Sequence, residues 1–374
     1  TFTYRYDPNG NLLTKTDARG ISTTYTYDGL NRVTFRNYSD STPDIAYTYD
    51  DPAVPFSRGK LTKVASTVSE TWYLSYDAQD RITASRQRTD GRDYDFGYSY
   101  NLEDDLKTQT YPSGKVVTFA YDAGGDLTSV TGAIGQTSRV YANGFAYAPH
   151  GVVERVRLGN GRWETRRFNS LRQISQIFLG NSAGNGSLWR VDYEYGELQP
   201  NGTIDLTKNN GSLARQTITV PTVGPATGFT AVQTYTYDPL DRLKSATEVI
   251  GGQQTWKQSF SYDRFANRNF DTGNTTILSS ESAVPKIANP EVLPSNNRLK
   301  EDQDNDGQPD YLYDASGNVT KNARDQNFTY DAENRQITAT GPGLSTSYSY
   351  DGNGKRVKAY NAVTDQTTIF VYDA

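Results

Sequence analysis

Tyr25-Thr26-Tyr27-Asp28-Gly29-Leu30-Asn31-Arg32-Val33 sets two tyrosines two residues apart, an aspartate directly after the second, and an asparagine three residues beyond it. The same order returns along the whole chain. It stands at Tyr4-Arg5-Tyr6-Asp7-Pro8-Asn9-Gly10, at Phe119-Ala120-Tyr121-Asp122-Ala123-Gly124-Gly125 and at Tyr235-Thr236-Tyr237-Asp238. It comes back around Tyr313-Asp314 with Gly317, around Tyr330-Asp331 with Asn334, and around Tyr350-Asp351 with Gly354, and a last copy opens at Phe370-Val371-Tyr372-Asp373. Repetition at a short fixed period outranks every other feature in deciding an architecture.

Each copy reads as a β-hairpin. Residues two apart share a face of an extended strand, so Tyr25 and Tyr27 point one way and Asp28 the other. Aromatics at spacing two favour strand over helix. The aspartate then opens a turn, its carboxylate placed to accept backbone N–H groups ahead of it, and Pro8 and Pro239 preset φ at the next position. The fourth position holds Gly10, Asn31, Asp80, Gly125, Asp241, Gly317, Asn334 or Gly354, the residue types that best tolerate the left-handed backbone of a type I turn with a G1 bulge. Ala266 departs from that list, and the spacing predicts a differently built hairpin there. The motif aspartates lie 21 residues apart from Asp7 to Asp28 and 20 from Asp331 to Asp351. At roughly 3.3 Å per residue that interval holds two strands and two turns, with no room for a helical crossover. The expected fold is therefore all-β: tandem antiparallel hairpins that bury little alone and join side by side into one long coiled sheet.

The run Tyr313-Asp314-Ala315-Ser316-Gly317-Asn318-Val319, followed by Tyr330-Asp331-Ala332-Glu333-Asn334-Arg335 and Tyr350-Asp351-Gly352-Asn353-Gly354-Lys355, resembles the YD-repeat, or RHS, family. That family includes shell repeats of bacterial polymorphic toxins, C components of insecticidal toxin complexes, and teneurins. The resemblance implies a hollow β-sheet shell, here a partial one, which in the toxins encloses a C-terminal toxic domain of the same polypeptide. It also implies a secreted or cell-surface location. Family toxins carry an aspartate-based self-cleavage site after the repeats, near an Asp-Pro-x-Gly motif. Asp7-Pro8-Asn9-Gly10 has those letters but sits inside a repeat turn, and the activity is not carried over.

Composition agrees with a thin wall more than a thick core. The hydrophobic share is 35%, and 28 tyrosines and 14 phenylalanines supply contact area while each phenol keeps a polar tip. Mean hydropathy is −0.74. Net charge is −5 with scattered Lys and Arg, which argues against nucleic acid as a partner. No long apolar run offers membrane insertion, and the absence of cysteine excludes disulfides and thiolate chemistry. Two stretches break the period, residues 181–232 and 271–309, and both read as insertions within a single array covering 1–374. Both ends fall inside a repeat, so the chain reads as a fragment.

One segment has the pattern of site chemistry. Asp302, Asp304, Asp306 and Asp310 occupy positions 1, 3, 5 and 9 of a loop with Gly307 at position 6, an alternation that turns carboxylates onto one hard cation. Calcium is the candidate cofactor, against a solvated acidic turn. Position 12, where an EF-hand places its bidentate glutamate, is Tyr313, and Asp314 belongs to a repeat. His150 is the sole histidine and falls in a turn slot, so no Ser-His-Asp triad is expected. The sequence thus points to a non-enzymatic shell segment around a toxic or unfolded C-terminal cargo. The other reading is an extracellular adhesin that binds a surface ligand, glycan or protein, through its aromatic face or its loops.

Overall fold

A computed structural model describes residues 1–276, 287 and 289–373. Its long elements are antiparallel strands joined by turns, with short 3-10 turns at Leu206–Lys208 and Thr272–Asn274. Strands from Thr3–Tyr6 to Arg268–Phe270 form a 22-stranded sheet, and those from Leu312–Tyr313 to Gln366–Ile369 form a second sheet of seven. Within these sheets, neighbouring strands follow one another in the chain, as Ser22–Tyr27 pairs with Val33–Tyr38. The all-β, tandem-hairpin expectation holds.

The turn explains the register. In the hairpin at Asp28, the Asn31 N–H donates to the Asp28 carbonyl at 3.0 Å and the Asp28 N–H donates to the Arg32 carbonyl at 3.0 Å. Pairing then slips by one residue between Thr26 and Tyr27, so that Tyr27 faces Val33. The slip recurs before Tyr6, Tyr237, Tyr330 and Tyr350. It is the extra residue of a bulge, and the left-handed residue it needs is the fourth of each motif: φ is +85° at Gly10, +59° at Asn31, +57° at Asp241 and +92° at Gly317.

Ala266 corrects the sequence expectation. Its φ is +67°, its N–H donates to the Asp263 carbonyl at 3.1 Å, and Asp263 accepts the N–H groups of Phe265 and Asn267 as any other motif aspartate does. The turn is the same as the others, with a Cβ strained into place.

The chain divides into two compact units, Thr1–Val116 with Leu299–Ala374, and Val117–Arg298. In the first, a small core of Tyr38, Ile45, Val64 and Ala332 forms where the turn at Asp331 meets the amino-terminal strands. The contact is polar at its rim. Tyr38 donates its hydroxyl to Glu333 at 2.8 Å, the Arg36 guanidinium reaches the same carboxylate at 3.3 Å, and the Ala332 N–H donates to Thr42 Oγ1 at 2.9 Å. The next turn seats Gly352 against Ile45 and Val64. In the second unit, Val156, Phe178, Val191 and Phe260 are the buried anchors.

The interval 181–232 contains two sheet strands, Trp189–Tyr195 and Leu213–Val220, paired with one another. Between them the chain makes a small hairpin, Glu197–Leu198 with Ile204–Asp205, and the 3-10 turn Leu206–Lys208. Of the interval 271–309, residues 277–286 and 288 lie outside the described residues. The described remainder holds a short pair, Val292–Leu293 and Arg298–Leu299, that leads into the acidic loop.

Candidate functional site

The repeat signature is a set of interlocking contacts. In the turn, Asp28 Oδ1 accepts the N–H groups of Leu30 and Arg32, both at 2.9 Å, while Oδ2 accepts the Arg32 guanidinium at 2.6 Å. Asp7 does the same with Asn9 and Asn11, Asp238 with Leu240 and Arg242, and Asp331 with Glu333 and Arg335. Asp122 and Asp351 accept the two N–H groups, as Asp314 accepts that of Asn318. These bonds set the charge state. The Arg32 N–H and guanidinium hold Asp28 below the usual carboxylate range, and the Arg242 side chain does so for Asp238. Asp351 goes the other way, because burial under its neighbours raises it.

The second motif tyrosine ties one hairpin to the one before it. Its hydroxyl donates to the carbonyl five residues past the previous motif aspartate: Tyr27 to Leu12 at 2.9 Å, Tyr262 to Leu243 at 2.8 Å, Tyr330 to Val319 at 2.7 Å, Tyr350 to Gln336 at 2.7 Å. The residue that pins the previous aspartate then lies over the same ring. Arg81 stacks on Tyr100 at 4.6 Å, Arg242 on Tyr262 at 4.4 Å and Arg335 on Tyr350 at 4.8 Å. The fourth residue after the aspartate therefore does two jobs, and sequence reasoning missed it. The signal was present as Asn11, Arg32, Arg242, Asn318, Arg335 and Lys355 at one fixed offset.

Of the four acidic-loop residues, the structure gathers three. Ligand oxygens of Asp302, Asp304 and Asp310 lie within 4.8 Å of one another, while Asp306 turns to its own loop and accepts the Gln308 N–H at 2.8 Å. Oxygens opposed across Ca²⁺ at about 2.4 Å each stand at about that separation. Asp310 is buried, and its Oδ2 accepts the Gln303 N–H at 2.9 Å. Asp302 Oδ2 accepts the Gly307 N–H at 3.0 Å, whereas its Oδ1 is buried with no hydrogen-bond partner. An orphaned carboxylate oxygen beside two further acids fits a cation. Tyr313 offers no carboxylate; its hydroxyl accepts the Leu299 N–H at 3.0 Å. His150 packs edge-on against Phe168, ring centres 4.6 Å apart, inside the turn closed by the Gly151 N–H on the Ala148 carbonyl.

A family model described as RHS Repeat matches residues 6–42 and 100–144. Over those two stretches the repeats match RHS repeats. The structure resembles that of TcdB2-TccC3 with a TM-score of 0.76 at 18% identity, covering 98% of this chain and 20% of that one. It resembles a mutant Photorhabdus luminescens Tc holotoxin pore at 0.75 and 17% identity, over 96% of this chain and 19% of the other. It also resembles TcdB2-TccC3 without its hypervariable C-terminal region, at 0.64 and 15% identity over 96% and 19%. The chain spans about a fifth of the length of these solved chains. No curated protein matches it significantly. At these identities the likeness is one of fold, a tandem antiparallel repeat sheet. Among the described residues, no helix is long and apolar enough to cross a membrane.

Proposed function

We propose that this RHS-repeat segment is a non-enzymatic section of wall in a secreted or surface protein, and that the wall sequesters a toxic or unfolded cargo domain on the C-terminal side of the same polypeptide. The observation that carries the reading is the repeat-to-repeat ladder. Backbone pairing, a tyrosine–carbonyl bond and a guanidinium on a ring couple one hairpin to the next, which consumes polar groups along the sheet and leaves few gaps. Likeness to a TcdB2-TccC3 structure named for its missing hypervariable C-terminal region supports a variable segment on that side. The mechanism is steric: a cargo behind a continuous sheet does not meet its target or a protease. Cryo-EM of a longer polypeptide that carries these repeats together with a downstream domain tests it. The reading expects density for the downstream domain enclosed by repeats, and a downstream domain standing outside them overturns it. An outward domain with glycan or protein bound along the tyrosine face would instead favour adhesion.

The orphaned Asp302 Oδ1 favours a second, local role: a calcium ion held by Asp302, Asp304 and Asp310 that fixes the loop leading into Tyr313. Titration calorimetry with Ca²⁺ is expected to show one site that Asp302→Asn and Asp310→Asn each abolish. Absence of heat with the wild-type chain ends this reading.

A further inference from the structure

The insertion between Tyr195 and Leu213 changes one rung of the ladder. Tyr237 keeps the usual bond, its hydroxyl donating to the Leu213 carbonyl at 2.9 Å. The residue before that carbonyl normally covers the ring, as Arg81 covers Tyr100 and Arg242 covers Tyr262. Here it is Ser212, shorter than the Asn11, Arg32, Lys60, Arg81, Asp126, Gln173, Arg242, Asn318, Arg335 and Lys355 that hold this place elsewhere. Ser212 lines a cleft of about 690 Å³ together with Tyr235, Tyr237, Asn209, Asn210 and Asp241 among others, and Glu197 and Leu198 of the small hairpin line it as well.

The lining decides what the cleft suits. Two half-buried rings lie beside amides and a carboxylate that are already oriented. Asn210 Nδ2 donates to Asp241 Oδ1 at 2.7 Å, and the Asn209 side chain exchanges hydrogen bonds with Gln173 at 2.8 and 3.2 Å. Asp238, next to the ring, has its charge compensated by Arg242. A ring face that takes C–H groups, flanked by fixed donors and acceptors for hydroxyls, matches a pyranose. An anion would meet Asp241 and Glu197, with Lys208 as the one cation in the lining, and an apolar ligand would cover polar groups that a hydroxylated one can satisfy.

We propose that this cleft binds a neutral oligosaccharide, with a sugar ring on Tyr237 and its hydroxyls on Asn210 and Asp241. The site is independent of any enclosed cargo. Saturation-transfer NMR on the intact chain, with chitotriose and maltotriose as probes, tests it alongside two variants. Ser212→Arg restores the covering side chain used elsewhere in the array; it is expected to keep the melting temperature and weaken binding about tenfold or more. Asn210→Ala is expected to weaken binding with the fold intact. Transfer to at least one probe that both variants reduce supports the site. No transfer to either probe, or transfer that neither variant reduces, overturns it.

Discussion

At Ala266 the backbone sits at φ +67° with a Cβ in place, a conformation that most repeats give to glycine, asparagine or aspartate. Ala266→Gly is therefore expected to stabilise the chain by about 0.5–1 kcal/mol, measured as a higher urea midpoint at unchanged slope. The turn aspartates make a second prediction with a definite sign. Asp28 is held below its unfolded value by Arg32, so its contribution is full above the unfolded pKa of about 3.9 and is lost as pH falls through the lower folded value. Asp351 is raised by burial, so its contribution is present at low pH and lost as pH rises through its folded value. Asp28→Asn is expected to lower the unfolding midpoint at pH 7, with the deficit shrinking toward pH 3. Asp351→Asn, which keeps an oxygen for the Asn353 and Lys355 N–H groups, is expected to leave the pH 7 midpoint unchanged or higher. Paired denaturation curves at the two pH values check both. At this scale the motif was legible because Tyr27, Asp28 and Asn31 each state a local requirement. Arg32 was not, because its two partners, Asp28 and Tyr49, lie on different hairpins and only the fold brings the second within 4.3 Å.

A hairpin element is coupled to its predecessor by one tyrosine hydroxyl. Removing it in Tyr350→Phe leaves the Gln336 carbonyl without that donor and is expected to cost about 1 kcal/mol, read by chemical denaturation. Turns also act as wedges. A Cβ at Gly352 would run into Val64 Cγ1 and Ile45 Cγ2, so Gly352→Ala is expected to destabilise the first unit by about 1–3 kcal/mol. This seat was invisible in the sequence, where Gly352 is merely the second turn residue and Ile45 lies some three hundred positions away. The acidic loop was half legible: alternation placed Asp302, Asp304 and Asp310 together, but nothing local distinguished Asp306, which the loop spends on the Gln308 N–H. The cleft at Tyr237 was not legible at all, since Ser212 has meaning only as a short side chain at a position known from the other repeats.

For the molecule, repetition fixed what a composition of 35% hydrophobic residues and net charge −5 left open. Stability comes from many similar interfaces between neighbours, with a compact apolar cluster, among the described residues, where the turn at Asp331 closes on Tyr38, Ile45 and Val64. Such a body suits a wall, and a wall is useful for what it keeps apart. The period of the aspartates, 20 to 22 residues, was enough to see the sheet, because hairpin after hairpin admits few other solutions. The decisive measurement is limited proteolysis, followed by mass spectrometry, of the polypeptide that carries these repeats with its downstream domain. The account predicts that the downstream domain survives protease concentrations that digest it when it is produced alone, and becomes cleavable once urea unfolds the repeats. Digestion at the same rate with and without the repeats would contradict it.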